Sequence, residues 1–304
     1  MTLVEPADEG KHEADPSDEL WNESWYFDFA SADGRVGGYV RIGLYPNLGT
    51  TWYWAYLVGD GRPLVAVRDH DVALPKGAGL ELRAEGLWAD TICETALEHW
   101  SVGLEAFGVA LDDPATAYHD ERGDRVALGL DLEWEAAAPA QPSAGLPRYE
   151  QACSVAGHVL VGRERIEIDG WGERDHSWGR RDWWTMPWCW TAGRLSDGTA
   201  FHAFRPLIDI PFASGFVAPP NGEVENVEHF TVETELGAEG LPTSAAMELA
   251  DLRLSVRPTA HAPVLLEAPD GRASRFPRSL CRFDSEDGRS GFGWTEWCQP
   301  PAGG

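Results

Sequence analysis

Apolar and polar residues alternate with a period of two along much of this chain. In TTWYWAYLVGDGRPLVAV, Trp52, Trp54, Tyr56 and Val58 fall on one face, and Asp60-Gly61 turns the chain into the next apolar run. Alternation over seven residues fits a strand, because successive strand side chains point to opposite faces. SWYFDFASADGRVGGYVRIGLYP reads as strand, turn, strand about Asp33-Gly34, a strong hairpin signal. GLELRAEGLWADTICETALEHWSVGLEAFGVAL continues as short strands between Gly and polar breaks, and DRVALGLDLEWEA passes the same test. Helical periodicity is weak everywhere, and only residues 91 to 101 resemble a helix at all.

After AAAPAQPSAGLP, which is rich in Pro and Ala and carries no charge, a second run of strands begins. That stretch is the best linker candidate. WCWTAGRLSDGTAFHAFRP then repeats the first hairpin: an aromatic strand, an Asp-Gly turn at Asp197-Gly198, a second strand and a closing Pro. Many short strands with regular turns predict an all-β fold of two antiparallel barrel or sandwich units packed side by side. The expected division is an acidic disordered leader over residues 1–18, a first β domain over 19–140 and a second over 141–304.

Composition narrows the partners. The 304 residues carry a net charge of -26, from 24 basic and 50 acidic side chains. Such a field repels nucleic acid and anionic lipid surfaces. The five cysteines are odd in number and form no CxxC or Cys/His ligand cluster, so they read as reduced thiols. The N-terminus lacks an apolar core for a signal peptide, and no apolar run reaches the ~18 residues of a transmembrane helix. A cytoplasmic protein is expected, touching membranes at most transiently, with a homodimer possible. His70, His99, His119, His158, His229 and His261 are scattered without metal-ligand spacing. There is no GxGxxG after a strand, no Walker loop, no GxSxG elbow and no HExxH. These absences rank nucleotide, phosphoryl-transfer and serine-hydrolase chemistry low.

Trp is the outlier, at 15 copies, and five of them crowd into GERDHSWGRRDWWTMPWCW. Trp184, Met186, Trp188 and Trp190 stand at period two, lining a cavity or forming an interdomain core. Pro187 within that run marks an edge or a bulge. Asp175 and His176 are candidate proton handlers, against the alternative that Asp175 pairs with Arg174 or Arg180 to tie strands together. Arg180, Arg181 and Asp182 form an ion-pair cluster or an anchor for a polar substrate end. Glu150 is a candidate second carboxylate. Trp25, Tyr26, Trp52, Trp54 and Tyr56 read as core or interface, and Trp54 and Tyr56 are the candidates to close a pocket from the first domain.

GERDHSWGRRDW resembles a motif of the tocopherol cyclase-like and carotenoid 1,2-hydratase superfamily of lipocalin-like proteins. WYFDF, YEQACSVAGHVLVG and GFGWTEW agree with it, so the resemblance spans roughly residues 20 to 298. It implies two lipocalin-like β domains and a hydrophobic substrate, with no metal or redox cofactor. The implied chemistry is proton-driven hydration, dehydration, isomerisation or cyclisation of an isoprenoid or terpenoid. Aromatic walls suit it, because they stabilise a cation and keep a neighbouring carboxyl protonated. His176 and Trp178 match the His-x-Trp pattern of the carotenoid hydratases. Their following strand carries an aromatic-x-Asp pair as the acid, whereas TAFHAFRP offers Phe201, His202 and Phe204 without an Asp. That departure leaves Asp175, Asp182 or His202 as the acid, and Trp178, Trp184, Met186, Trp188, Trp190, Arg180 and Phe204 as substrate contacts. A carrier of a small lipophile and a pericyclic catalyst acting by shape alone are the competing readings.

Overall fold

The computed structural model describes residues 4–119, 121–268 and 270–301. The first sheet contains β1 (Trp21–Ser31), β2 (Val36–Tyr45), β3 (Thr50–Gly59), β4 (Leu64–Ala73), β5 (Leu82–Ala84), β6 (Leu87–Thr95), β7 (His99–Leu111), β8 (Asp124–Ala136), β9 (Gln141–Pro142), β10 (Arg148–Val161) and β11 (Glu164–Arg180). The second contains β12 (Trp188–Leu195), β13 (Ala200–Pro206), β14 (Ser214–Ala218), β15 (Glu225–Asn226), β16 (Phe230–Leu236), β17 (Pro242–Leu249) and β18 (Leu252–His261). A two-stranded ribbon follows, β19 (Val264–Glu267) with β20 (Ala273–Phe276), before β21 (Arg278–Ser285) and β22 (Ser290–Cys298) complete the second sheet. The all-β, lipocalin-like reading of the sequence holds. Residues 91 to 101 belong to β6, a turn and β7.

The first sheet runs β4-β3-β2-β1-β11-β10-β8-β7, and β7 pairs back onto β4, which closes an eight-stranded barrel. Trp25, Phe27, Phe29, Val40, Ile42 and Tyr53 fill its interior. The alternate residues of β1 to β3, among them Tyr26, Tyr39, Trp54 and Tyr56, face outward and are equally buried. They meet Trp188, Trp190 and Trp294 of the second sheet. This is why β1 to β3 read as nearly continuous apolar runs: both of their faces are covered. Gly34, at φ +66° in the β1–β2 turn, is pinned by the same contact, since a Cβ there would lie 2.1 Å from Phe292.

Three expectations change. The 136–147 stretch is no interdomain linker: β9 folds it back onto Tyr149 and Glu150 of β10. β11, with the DHSWG motif, pairs with β1 from Trp21↔Arg180 to Ser31↔Gly170, so the sheets divide after Arg180 and not at 140/141. The acidic leader also differs, apart from residues 1–3, which lie outside the described residues. Glu9 is buried against Arg174, with Nη2–Oε1 2.7 Å and Nη1–Oε2 3.1 Å, and accepts from the Tyr149 hydroxyl at 2.5 Å. Lys11 Nζ donates to Gly77 O and Gly79 O at 2.7 and 2.9 Å. A strap with few apolar anchors is therefore held by charge-assisted hydrogen bonds, which composition does not reveal.

Candidate active site

Three neighbouring strands, β1, β11 and β10, present Asp28, Glu173, Asp175 and Glu150 to the face that meets the second sheet. The register puts Tyr26 opposite Asp175, Glu150 opposite Asp175, and Ala152 opposite Glu173. Like charges directly across a ladder repel. Such a cluster persists only with protons or cations among its members.

At Asp28 the β1–β11 ladder opens. Pairing stops at Phe27↔Arg174 and resumes at Ala30↔Trp171. Side chains complete the hydrogen bonding there: the Glu173 N–H donates to Asp28 Oδ1 at 2.8 Å, and the Trp134 indole donates to Asp28 O at 2.8 Å. Gly172 permits this close approach, since a Cβ on it would lie 1.8 Å from Asp28 O. Asp28 and Glu173 line a cleft of about 290 Å³ between the sheets, walled by Ala138, Pro139, Ala152, Ala200, Ala218 and Pro219. Burial pushes the Asp28 carboxyl up to about 7, against the hydrogen bonds from Glu173 and Tyr26. Burial, reinforced by Glu150, Asp28 and Asp175, holds Glu173 well above the carboxylate range. Glu173 Oε1 has no hydrogen-bond partner among the described residues. Two carboxyls that keep protons near neutrality thus face a small-residue cleft.

The Tyr26 hydroxyl donates to Asp28 Oδ2 at 2.9 Å, and Tyr26 itself lines a separate, arginine-rich lobe on the same face. Tyr26, Arg41, Arg148, Asp175, Arg278 and Glu296 are among the groups around it. Arg148 contacts Glu150 and lies 3.2 Å from Asp175, while Arg278 lies 2.9 Å from Glu296. Burial and the nearby Asp175 carboxylate raise the Glu150 pKa although Arg148 opposes them; one guanidinium serves two carboxyls. From the second sheet, Trp190 Nε1 donates to Glu150 at 3.4 Å and His202 Nε2 stands 3.5 Å from it. Burial, and then Arg148, keep His202 neutral.

The interface therefore assembles Asp175, His202, Trp188, Trp190, Phe204, Trp54 and Tyr56 in one layer. It does not assemble Asp175 with His176. Adjacent strand residues face opposite ways, and His176 points into the strap side of the barrel. There its Nδ1 bonds Asp8 O at 2.7 Å, its Nε2 lies 3.0 Å from Glu23, and its ring stacks on Trp25. Trp178 stacks on His12 with centroids 3.8 Å apart, away from the cleft. Arg180 is exposed and pairs with Asp18 at 2.7 Å. Asp182 accepts from the Trp184 N–H at 3.0 Å within a turn. Because residues 181–187 are not a strand, Trp184 and Met186 do not continue the Trp188–Trp190 face. Trp184 instead donates to Leu266 O at 2.8 Å. The Trp188–Trp190 cluster is an interdomain core, whereas the cleft is lined mostly by small residues together with Trp171 and Arg194.

Asp28, Glu173, Arg148, Arg278 and Glu296 went unread in the sequence. One signal was available: Glu173 stands two residues before Asp175 and so shares its face. Asp28, a charge inside the apolar WYFDF run, was another. For a metal, His12, Glu23 and His176 bring ligand atoms within 4.8 Å of one another. Hydrogen bonds among these three, with Asp8 O, already account for that cluster.

The model of a family described as a domain of unknown function, DUF7064, matches residues 5–301. None of the curated proteins matches the chain. Among solved structures, an AttH candidate from Nitrosomonas europaea is similar with a TM-score of 0.67 at 14% identity, over 97% of this chain and 96% of the other. Kievitone hydratase from Nectria haematococca is similar with a TM-score of 0.62 at 13% identity, over 98% and 96%. CghA is similar with a TM-score of 0.62 at 11% identity, over 94% and 90%. These likenesses show a shared fold.

Proposed function

We propose that this chain, which belongs to the DUF7064 family, is an acid–base enzyme that adds or removes water at a carbon–carbon double bond of a small lipophile in the interdomain cleft. The observation that carries the reading is the pair of buried carboxyls, Asp28 and Glu173, set among alanine and proline walls. An apolar wall excludes competing water and keeps an acid in its neutral, donating form. In the hydration direction the Glu173 O–H bond breaks and a C–H bond forms on the substrate. Water bonds to the adjacent carbon and loses its proton to Asp28, whose value of about 7 leaves both of its forms populated near neutrality. Exchange with solvent resets both carboxyls. The similarity in fold to a hydratase supports this class of reaction.

The cleft volume of about 290 Å³ lies just below the usual range of ligand pockets, ~300–1,000 Å³, and suits a small terpenoid or prenylated phenol more than a carotenoid-length chain. The purified protein is incubated with such a panel in deuterated water and read by mass spectrometry. The expected result is deuterium on carbon or a mass change of one water, reduced about 10²-fold or more in a folded Glu173→Gln variant. Ligands that are retained but return unlabelled would make the protein a carrier. Turnover that survives Glu173→Gln would remove Glu173 as the acid.

A further inference from the structure

The arginine-rich lobe holds more positive charge than its own structure requires. Among the described residues, four guanidiniums, Arg41, Arg148, Arg181 and Arg278, surround a cavity to which only Asp175 and Glu296 contribute carboxylates. Arg148 and Arg278 take those partners. Among the described residues, Arg41 and Arg181 have no carboxylate within ion-pair distance. Arg41 Nη2 donates to Asn22 Oδ1 and Arg181 Nη2 to Ser177 Oγ, both at 2.9 Å. Arg41 Nη1, Arg148 Nε and Arg278 Nε are buried with no hydrogen-bond partner among the described residues. Arg41 is 4% exposed and Arg278 2%, so water outside the protein does not satisfy them. A buried guanidinium without a counter-charge is strongly destabilising. The strain registers on the groups themselves. Burial pushes Arg41 down to about 10, with Arg181 adding to the shift, and burial with Arg148 lowers Arg181.

We infer that this lobe is a binding site for one small anion, either a halide or a single carboxylate oxygen, held by Arg41, Arg148, Arg181 and Arg278. The cavity, about 20 Å³, accepts one water-sized atom, which sets that limit on its occupant. Trp183 closes the site, with the guanidiniums of Arg41 and Arg181 at 5.1 and 5.3 Å from its ring centroid. Tyr26 lines this cavity and donates its hydroxyl to Asp28 of the neighbouring cleft. A substrate carrying a carboxylate would be anchored here beside the acid cleft; that arm of the inference rests on the acid–base reading, whereas the anion site does not.

The test is isothermal titration of the full chain with sodium formate and with sodium chloride, in a buffer whose other anion is a bulky sulfonate. Saturable binding of at least one is expected, weakened tenfold or more by Arg41→Gln and by Arg181→Gln. Formate alone binding assigns the site to a carboxylate; chloride binding as well or better assigns it to a resident halide. Binding of neither, or binding unchanged in both variants, overturns the inference. Should a variant not fold, chloride-35 NMR of the wild type reads the same site: its line broadens on exchange with the protein and sharpens as formate displaces chloride. No broadening and no formate binding is the overturning result. Glu173→Gln should abolish turnover and keep anion binding, so failure of either reading shows separately.

Discussion

The two faces of β11 make opposite use of the same kinds of residue. Toward the strap, Arg174 grips Glu9 with two hydrogen bonds, and both nitrogens of His176 have partners. Toward the second sheet, Glu173 has an unpartnered oxygen and Asp175 shares one guanidinium with Glu150. Burial drives Glu9 up, but Arg174 and Tyr149 more than reverse it and leave Glu9 below its usual value. Burial drives Glu173 up and nothing reverses it. A satisfied polar group ties the fold together, whereas one held away from its preferred charge state is available for proton transfer.

The largest effect that would break this contrast falls on the satisfied face. Arg174→Met leaves Glu9 buried without its cation and should cost about 3–5 kcal/mol of stability. The check is the urea midpoint of the variant against wild type. A loss below about 1 kcal/mol would mean that the strap does not depend on this pair. Turnover per folded molecule should stay within a few-fold, because Arg174 faces away from the cleft.

The cleft face predicts a dependence on pH. The native Asp28 carboxyl is raised to about 7 from an ordinary 3.8, so the folded state binds more protons than the unfolded state between those values. The stability this contributes is complete below the unfolded value and drains away as pH rises through the folded one. Between pH 5 and 7 the loss attributable to Asp28 is roughly 2 kcal/mol. Urea midpoints of wild type and Asp28→Asn at the two pH values isolate it, since Asn has no proton to lose. Parallel midpoints for the two proteins would show that Asp28 ionises normally.

The hairpins were legible because their cause is local: Asp33-Gly34, Asp60-Gly61 and Asp197-Gly198 flanked by alternating apolar residues. The layout of the sheets was not, because the Trp21↔Arg180 pairing joins positions far apart in the chain, with no local signature. The carboxyl-rich DHSWG region was recognised as the place of interest, and Asp175 does face the interdomain layer. Its partner was misread as His176, the next residue, although strand geometry sends neighbours to opposite faces. Reading positions 173 and 175 together would have found Glu173. Arg41, Arg148 and Arg278 come from separate strands and meet only in the folded protein.

The smallest effect sharpens the contrast by testing a charge that lies outside both faces. Arg180 ends β11, is exposed, and pairs with Asp18 at 2.7 Å. An exposed ion pair is screened by salt and restrains two side chains, so its net worth is small. Arg180→Ala should change stability by about 0.5 kcal/mol or less and leave turnover and anion binding at wild-type levels. The sequence had made Arg180 a candidate anchor for the polar end of a substrate. A rise in KM with kcat unchanged in this variant would restore that role, and it would place the substrate's head group at the end of β11 instead of beside Arg148 and Arg278.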